Sequence, residues 1–174
     1  GQAGGRRGSA GGLRPLGPGA LWDGIDRGGA TVGKGRLAVA YGGGLDSTVL
    51  LTLVVSGSAL PVRALHVDHG LQGEQPDWRA HVVAACEQRD IALQVLDVQV
   101  TPAPGESVEA AARTARYAAF SAALGDDELL LLAQHRDDQA ETLLLQLLRG
   151  AGPAGLAAMP AAAELGESHL LRPL

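Results

Sequence analysis

The sequence predicts an α/β protein in which a parallel β-sheet carries helices on both faces. Three observations carry this expectation. Short apolar runs of Val, Leu and Ala alternate with longer stretches of helical spacing. Glycine-rich or polar turns separate the two kinds of segment. The 174 residues suffice for one such domain with a sizeable core, but not comfortably for two.

Residues 1–35 stand apart. They hold more than half of the chain's 25 glycines, with prolines and arginines and no apolar periodicity. Such a segment buries too little surface to offset its ordering entropy, so it is expected to be disordered. The domain is expected at 36–174. Leu37-Ala-Val-Ala-Tyr41 reads as a buried strand that feeds Gly42-Gly43-Gly44, and Asp46 to about Ser56 as a helix. Val62–Val67 is a second strand, and about Glu74 to Arg89 a second helix. Ile91–Val100 alternates as a third strand, Ser107 to about Leu124 is an Ala-rich helix, and Leu129–Ala133 a fourth strand. Asp137–Arg149 reads as a fourth helix. Leu170-Leu-Arg-Pro-Leu174 begins another strand and stops, so the domain is expected to be truncated at its C-terminus. Repeated strand–helix units place a ligand beyond the carboxyl ends of the strands.

Composition narrows the function. With 46% hydrophobic but only 3% aromatic residues, the core must be aliphatic. Cys86 is the only cysteine, which excludes an internal disulfide and any multi-cysteine metal site; it reads as a small buried hydrophobe on a helix. No apolar run approaches a membrane span, and the chain reads as soluble and cytoplasmic, with no membrane partner. A net charge of −5 argues against a domain that grips nucleic acid unaided.

Two glycine-rich segments compete as phosphate binders. Gly28 to Gly35 nearly matches a Walker A loop, but Gly35 stands where Ser or Thr must reach magnesium, and no strand precedes it. Gly42-Gly43-Gly44-Leu45-Asp46-Ser47 has the right context: it leaves a buried strand and opens a helix, so backbone N–H groups and the helix dipole converge on one point. Asp46 adds a carboxylate and Ser47 a hydroxyl. A plain strand-to-helix turn with Asp46 and Ser47 as first-turn caps would leave the same trace.

The loop resembles the PP-loop of the N-type ATP pyrophosphatases, Ser-Gly-Gly-x-Asp-Ser, with Gly42 in place of the leading Ser. Three further segments resemble the tRNA(Ile)-lysidine synthases of that family. His66-Val-Asp68-His69-Gly70-Leu71 matches an element whose strand borders the adenine pocket; read alone it is a polar strand end, and a His-x-Asp-His metal site lacks a third ligand cluster. Glu109, Arg113 and Arg116 fall at i, i+4 and i+7 of a helix, which alone suggests a solvated charged face. The resemblance places Arg113 at the reaction centre. Ala133-Gln134-His135-Arg136-Asp137-Asp138-Gln139-Ala140-Glu141-Thr142, continuing through Leu148-Arg149-Gly150 to Met159, is the most specific stretch, with Gln134 where His is common. Its Asp138 and Glu141 could equally form a helix capping box.

The resemblance runs from about Leu37 to Leu174. It implies a Rossmann-like PP-loop fold and a ligase that uses ATP and Mg2+ to join free L-lysine to an isoleucine tRNA with a CAU anticodon. ATP would lie on Gly42, Gly43, Gly44, Leu45, Asp46, Ser47 and His66, with Asp46 and Arg113 catalytic. Lysine would lie on Asp138 and Glu141, with Arg149 and Gly150 at the tRNA or the site entrance. No protein metal site is assigned, and the oligomeric state stays open, a homodimer included. Two alternatives remain: an impaired or non-catalytic nucleotide-binding fragment, and another PP-loop tRNA-modifying enzyme. Those that thiolate through a cluster or persulfide need several cysteines, and GMP synthetase-like enzymes lack the Asp-Asp-Gln-Ala-Glu-Thr string.

Overall fold

The structure is a computed structural model that describes residue 22 and residues 35–70, 77–134, 162–165 and 168–173. The predicted helix 137–149, with Asp138, Glu141, Arg149 and Gly150, lies outside the described residues. So does nearly all of the Walker-like segment.

Six strands form one sheet in the order β3-β2-β1-β4-β6-β5. They are β1 (Arg36–Ala40), β2 (Val62–Asp68), β3 (Ala92–Asp97), β4 (Glu128–Leu131), β5 (Ala162–Leu165) and β6 (Ser168–Leu171). All neighbours pair parallel except β5 and β6, which form an antiparallel pair at one edge. Among the described residues the helices are α1 (Leu45–Gly57), α2 (Trp78–Glu87) and α3 (Val108–Ala123). The expected α/β fold is therefore present, with an antiparallel strand, β5, that the sequence did not announce.

Strand alternation divides the core into two layers. Leu37, Val39, Leu129, Leu131 and Leu171 pack with Leu50, Leu51 and Val54 of α1 and with Val82 and Cys86 of α2. Ala38, Leu65, Leu130 and Leu170 pack with Phe120 of α3 on the other face. Helices thus cover both faces, and most of the core is aliphatic. Cys86 is 1% exposed, the buried hydrophobe expected of it. Burial pushes its thiol pKa up. Trp22 comes from the segment expected to lack structure, yet it packs against the first layer. A Cβ on Gly57 would come within 2.9 Å of its Nε1.

A polar cluster pins the amino-terminal edge of the sheet. Glu128, 8% exposed, accepts from Arg63 Nε at 2.6 Å and also pairs with Arg63 Nη2. Arg63 Nη2 donates at 2.8 Å to the carbonyl of Ala123, the last residue of α3. Arg63 therefore neutralises a buried carboxylate and caps a helix C-terminus with one side chain. Burial alone would raise the Glu128 pKa; the Arg63 hydrogen bond and the Gly125 N–H outweigh it and hold the carboxyl below its ordinary range.

Candidate functional site

From β1 the chain runs outward through β2 to β3, then returns to β4 on the other side of β1. The reversal opens a crevice at the carboxyl ends of β1 and β4, where ligands bind in sheets of this kind. A cavity of about 310 Å³ lies there. Its walls come from Ala40–Gly42 at the end of β1, Leu65–Val67 of β2 and His69 just after it, and Leu132–Gln134 after β4. Trp78 closes one side and Arg116, Tyr117 and Phe120 of α3 another.

The loop Gly42–Ser47 joins this cavity to the start of α1. An α-helix leaves its first backbone N–H groups without intrahelical partners. Asp77 caps α2 by accepting from Ala80 N, and Ser107 caps α3 by accepting from Ala110 N. At α1 the N-cap is Gly44, which has no side chain to do so. A helix start with no side-chain cap at its N-cap residue suits an anion, and the helix dipole favours one there. Asp46 and Leu45 are exposed in that turn. The Ser47 hydroxyl donates back to the Gly44 carbonyl at 3.1 Å, and Thr48 Oγ1 does so at 2.8 Å.

Gly43 has φ +79°, and a Cβ there would lie 2.9 Å from Val82 Cγ2 and 3.3 Å from Trp78 Nε1. Both the left-handed backbone and the close approach of α2 demand glycine. Gly42 differs: a Cβ on it would meet nothing within 4 Å. The space for a serine side chain is present although the serine is not. The Trp78 indole N–H donates to the Gly42 carbonyl.

His66 is buried, and its Nδ1 lies 2.9 Å from the Tyr41 carbonyl. A carbonyl only accepts, so Nδ1 carries the proton and Nε2 of the neutral ring is an acceptor. Asp68 accepts from the Gly70 N–H, which lowers its pKa, and it also pairs with Arg79. Arg79 reaches Asp97 as well, so this strand end is tied to β3 and α2. Burial, then the nearby Arg116, lowers the His69 pKa. His69 Nε2 faces Arg116 Nη2 at 3.3 Å. Among the described residues no group of three His, Cys, Asp or Glu could hold a metal ion.

Of the charged stripe on α3, Arg116 lines the cavity. Arg113 lies one turn earlier, its guanidinium 5.5 Å from the ring centroid of Tyr117, which does line it. Two participants were not picked out from the sequence. Trp78 braces the loop. Arg172, 8% exposed after β6, donates to Gln134 Oε1 at 2.6 Å and to the Tyr117 hydroxyl at 3.3 Å, tying the last strand to two walls of the cavity. The available signals were slight: one of only two tryptophans, and an arginine ending an apolar run.

Comparison with known proteins gives this geometry a family. A PP-loop domain model matches residues 25–174. Two tRNA(Ile)-lysidine synthases from Pseudomonas are similar: that of Pseudomonas aeruginosa is 57% identical over 144 residues, and that of Pseudomonas putida 55% over 140. These alignments cover 80% and 78% of this chain but 32% of each relative, so the chain spans about a third of their length. Among solved structures, a U34-tRNA thiolase from Methanococcus maripaludis, determined with its 4Fe–4S cluster, shares the fold. It has a TM-score of 0.53 and 19% identity, covering 75% of this chain and 51% of that one. The chain belongs to the PP-loop domain family.

Proposed function

We propose that this chain is the ATP-using domain of a tRNA(Ile)-lysidine synthase. The observation that carries ATP binding is the loop Gly42–Ser47, which leaves a central strand, opens a helix without a side-chain cap and borders the cavity at the β1–β4 crevice. The substrates are inferred from the names of its relatives.

In this reading the first-turn N–H groups of α1 and Ser47 hold the ATP phosphates. The adenine enters between the β1 and β4 ends, where His66 Nε2 offers an acceptor to its exocyclic amine. Asp46, exposed in the first turn, is the carboxylate that would hold Mg2+ beside the phosphates, where the ion would offset their charge. The C2 oxygen of the first anticodon cytidine attacks the α-phosphorus, the bond to pyrophosphate breaks, and the cytosine is adenylated. The ε-amine of free lysine then forms a bond to C2 as AMP leaves. Arg113 offsets the charge that develops on phosphorus. Asp138 and Glu141 would supply the carboxylates that a cationic substrate needs, and Arg149 and Gly150 would border the tRNA or the site entrance.

The test is transfer of labelled lysine to an isoleucine tRNA with a CAU anticodon, in the presence of ATP and Mg2+. The native chain and Gly42→Ser are compared. Incorporation dependent on both ATP and lysine supports the reading. ATP binding by both proteins without incorporation by either would reduce the chain to a nucleotide-binding domain.

A further inference from the structure

We propose that Trp78 is a positioning residue for the phosphate loop, its indole N–H setting the direction of the Gly42–Gly43 peptide. The inference rests on the ATP reading above and deepens it. Three consecutive glycines leave the segment Gly42–Gly44 with more backbone freedom than any other tripeptide would have, and that freedom must be removed before phosphate can be bound. Two contacts of α2 remove it. Trp78 Nε1 donates to the Gly42 carbonyl, and Val82 Cγ2 closes on Gly43 at a distance that would exclude a Cβ.

The bond does more than restrain. The described peptides are all trans, so the Gly42 carbonyl and the Gly43 N–H point in opposite directions. Holding the carbonyl against Trp78 keeps its negative end from turning toward a bound phosphate and keeps the Gly43 N–H available. The brace is itself anchored. Asp77 caps the helix, Val82 is fully buried, and the Trp78 ring pairs with His81 at 5.1 Å between centroids. Trp78 also lines the cavity beside Gly42, so the contact sits at the site rather than beneath it.

The measurement is the Kd of ATP and, separately, of adenosine for the native chain, Trp78→Phe and Trp22→Phe. Because Trp78 acts through the phosphate loop, Trp78→Phe is expected to weaken ATP two- to tenfold, about the worth of one hydrogen bond, and to leave adenosine unchanged. Trp22→Phe, remote from the loop, is expected to change neither. Equal ATP affinity in Trp78→Phe overturns the inference, as does a parallel loss of adenosine, which would make Trp78 a cavity wall only. If Trp78→Phe does not fold, replacing Trp78 with benzothienylalanine keeps the ring shape and removes only the N–H, and the same split is expected. A native chain that binds no ATP overturns the proposed function itself, an outcome separate from equal binding by native and variant.

Discussion

At Gly43 the main chain and its neighbours make opposite demands on a substituent from those made one residue earlier. The φ of +79° is costly for any side chain, and Val82 Cγ2 would stand 2.9 Å from a Cβ. Gly43→Ala should therefore cost about 1–3 kcal/mol in strain and push the loop off α2. A fall in ATP affinity of at least tenfold is expected, read by calorimetric titration; unchanged affinity would mean that the loop does not bind phosphate through its backbone. At Gly42 the Cβ position is open. Gly42→Ser should leave stability within about 0.5 kcal/mol. If its hydroxyl reaches a charged phosphate, it adds about 1.5–3 kcal/mol, so ATP should bind roughly ten- to a hundredfold more tightly. No gain in affinity would mean that the backbone donors already hold the phosphates unaided.

Among the elements, α3 depends on a side chain from elsewhere at its C-terminal end. Its C-terminal carbonyl at Ala123 accepts from Arg63, which is committed to Glu128 at the same time. Arg63→Met would strand a buried carboxylate, at a cost of about 3 kcal/mol. The pH dependence has a definite sign. The Glu128 pKa is lowered in the folded state, so its contribution is complete above the ordinary value of 4.5 and is lost as pH falls through the lower folded value. Denaturant titrations across that acid range should show a steeper loss for the native chain than for Arg63→Met; parallel slopes would remove Glu128 from the account of acid stability. The same elements mark what could be read from sequence. β1 and β4 were legible because strands buried on both faces carry continuous apolar runs, and α3 because Ser107 caps an Ala-rich helix. β5 was not: Ala162–Leu165 has four residues, and it is a strand because β6 pairs with it. The loop at Gly42 announced itself by local spacing. Trp78 and Arg172 could not, because each reaches its partner, 36 and 38 residues away, only after the sheet has brought separate strands together.

In the whole molecule the sheet separates stability from binding. Its amino-terminal edge carries the Arg63–Glu128 cluster and its carboxyl edge carries the cavity, the phosphate loop and His66. Along β2 the two regions stand only three residues apart, at Arg63 and His66, about 10 Å. The intervening Ala64 and Leu65 are fully buried, one in each core layer, and among the described residues neither Arg63 nor Glu128 hydrogen-bonds to a cavity wall. Sites at that separation with no shared partner usually contribute additively. Arg63→Met should therefore lower stability while leaving ATP affinity within about twofold, and Gly42→Ser should do the reverse. The double variant should equal the sum of the single changes to within about 0.5 kcal/mol, in both unfolding free energy and ATP binding. A larger deviation would mean that strain at the lower edge passes along β2 into the site. The sheet would then transmit between its two edges rather than insulate them, and His66, fixed to the Tyr41 carbonyl at the end of β1, would be the first place to look for the change.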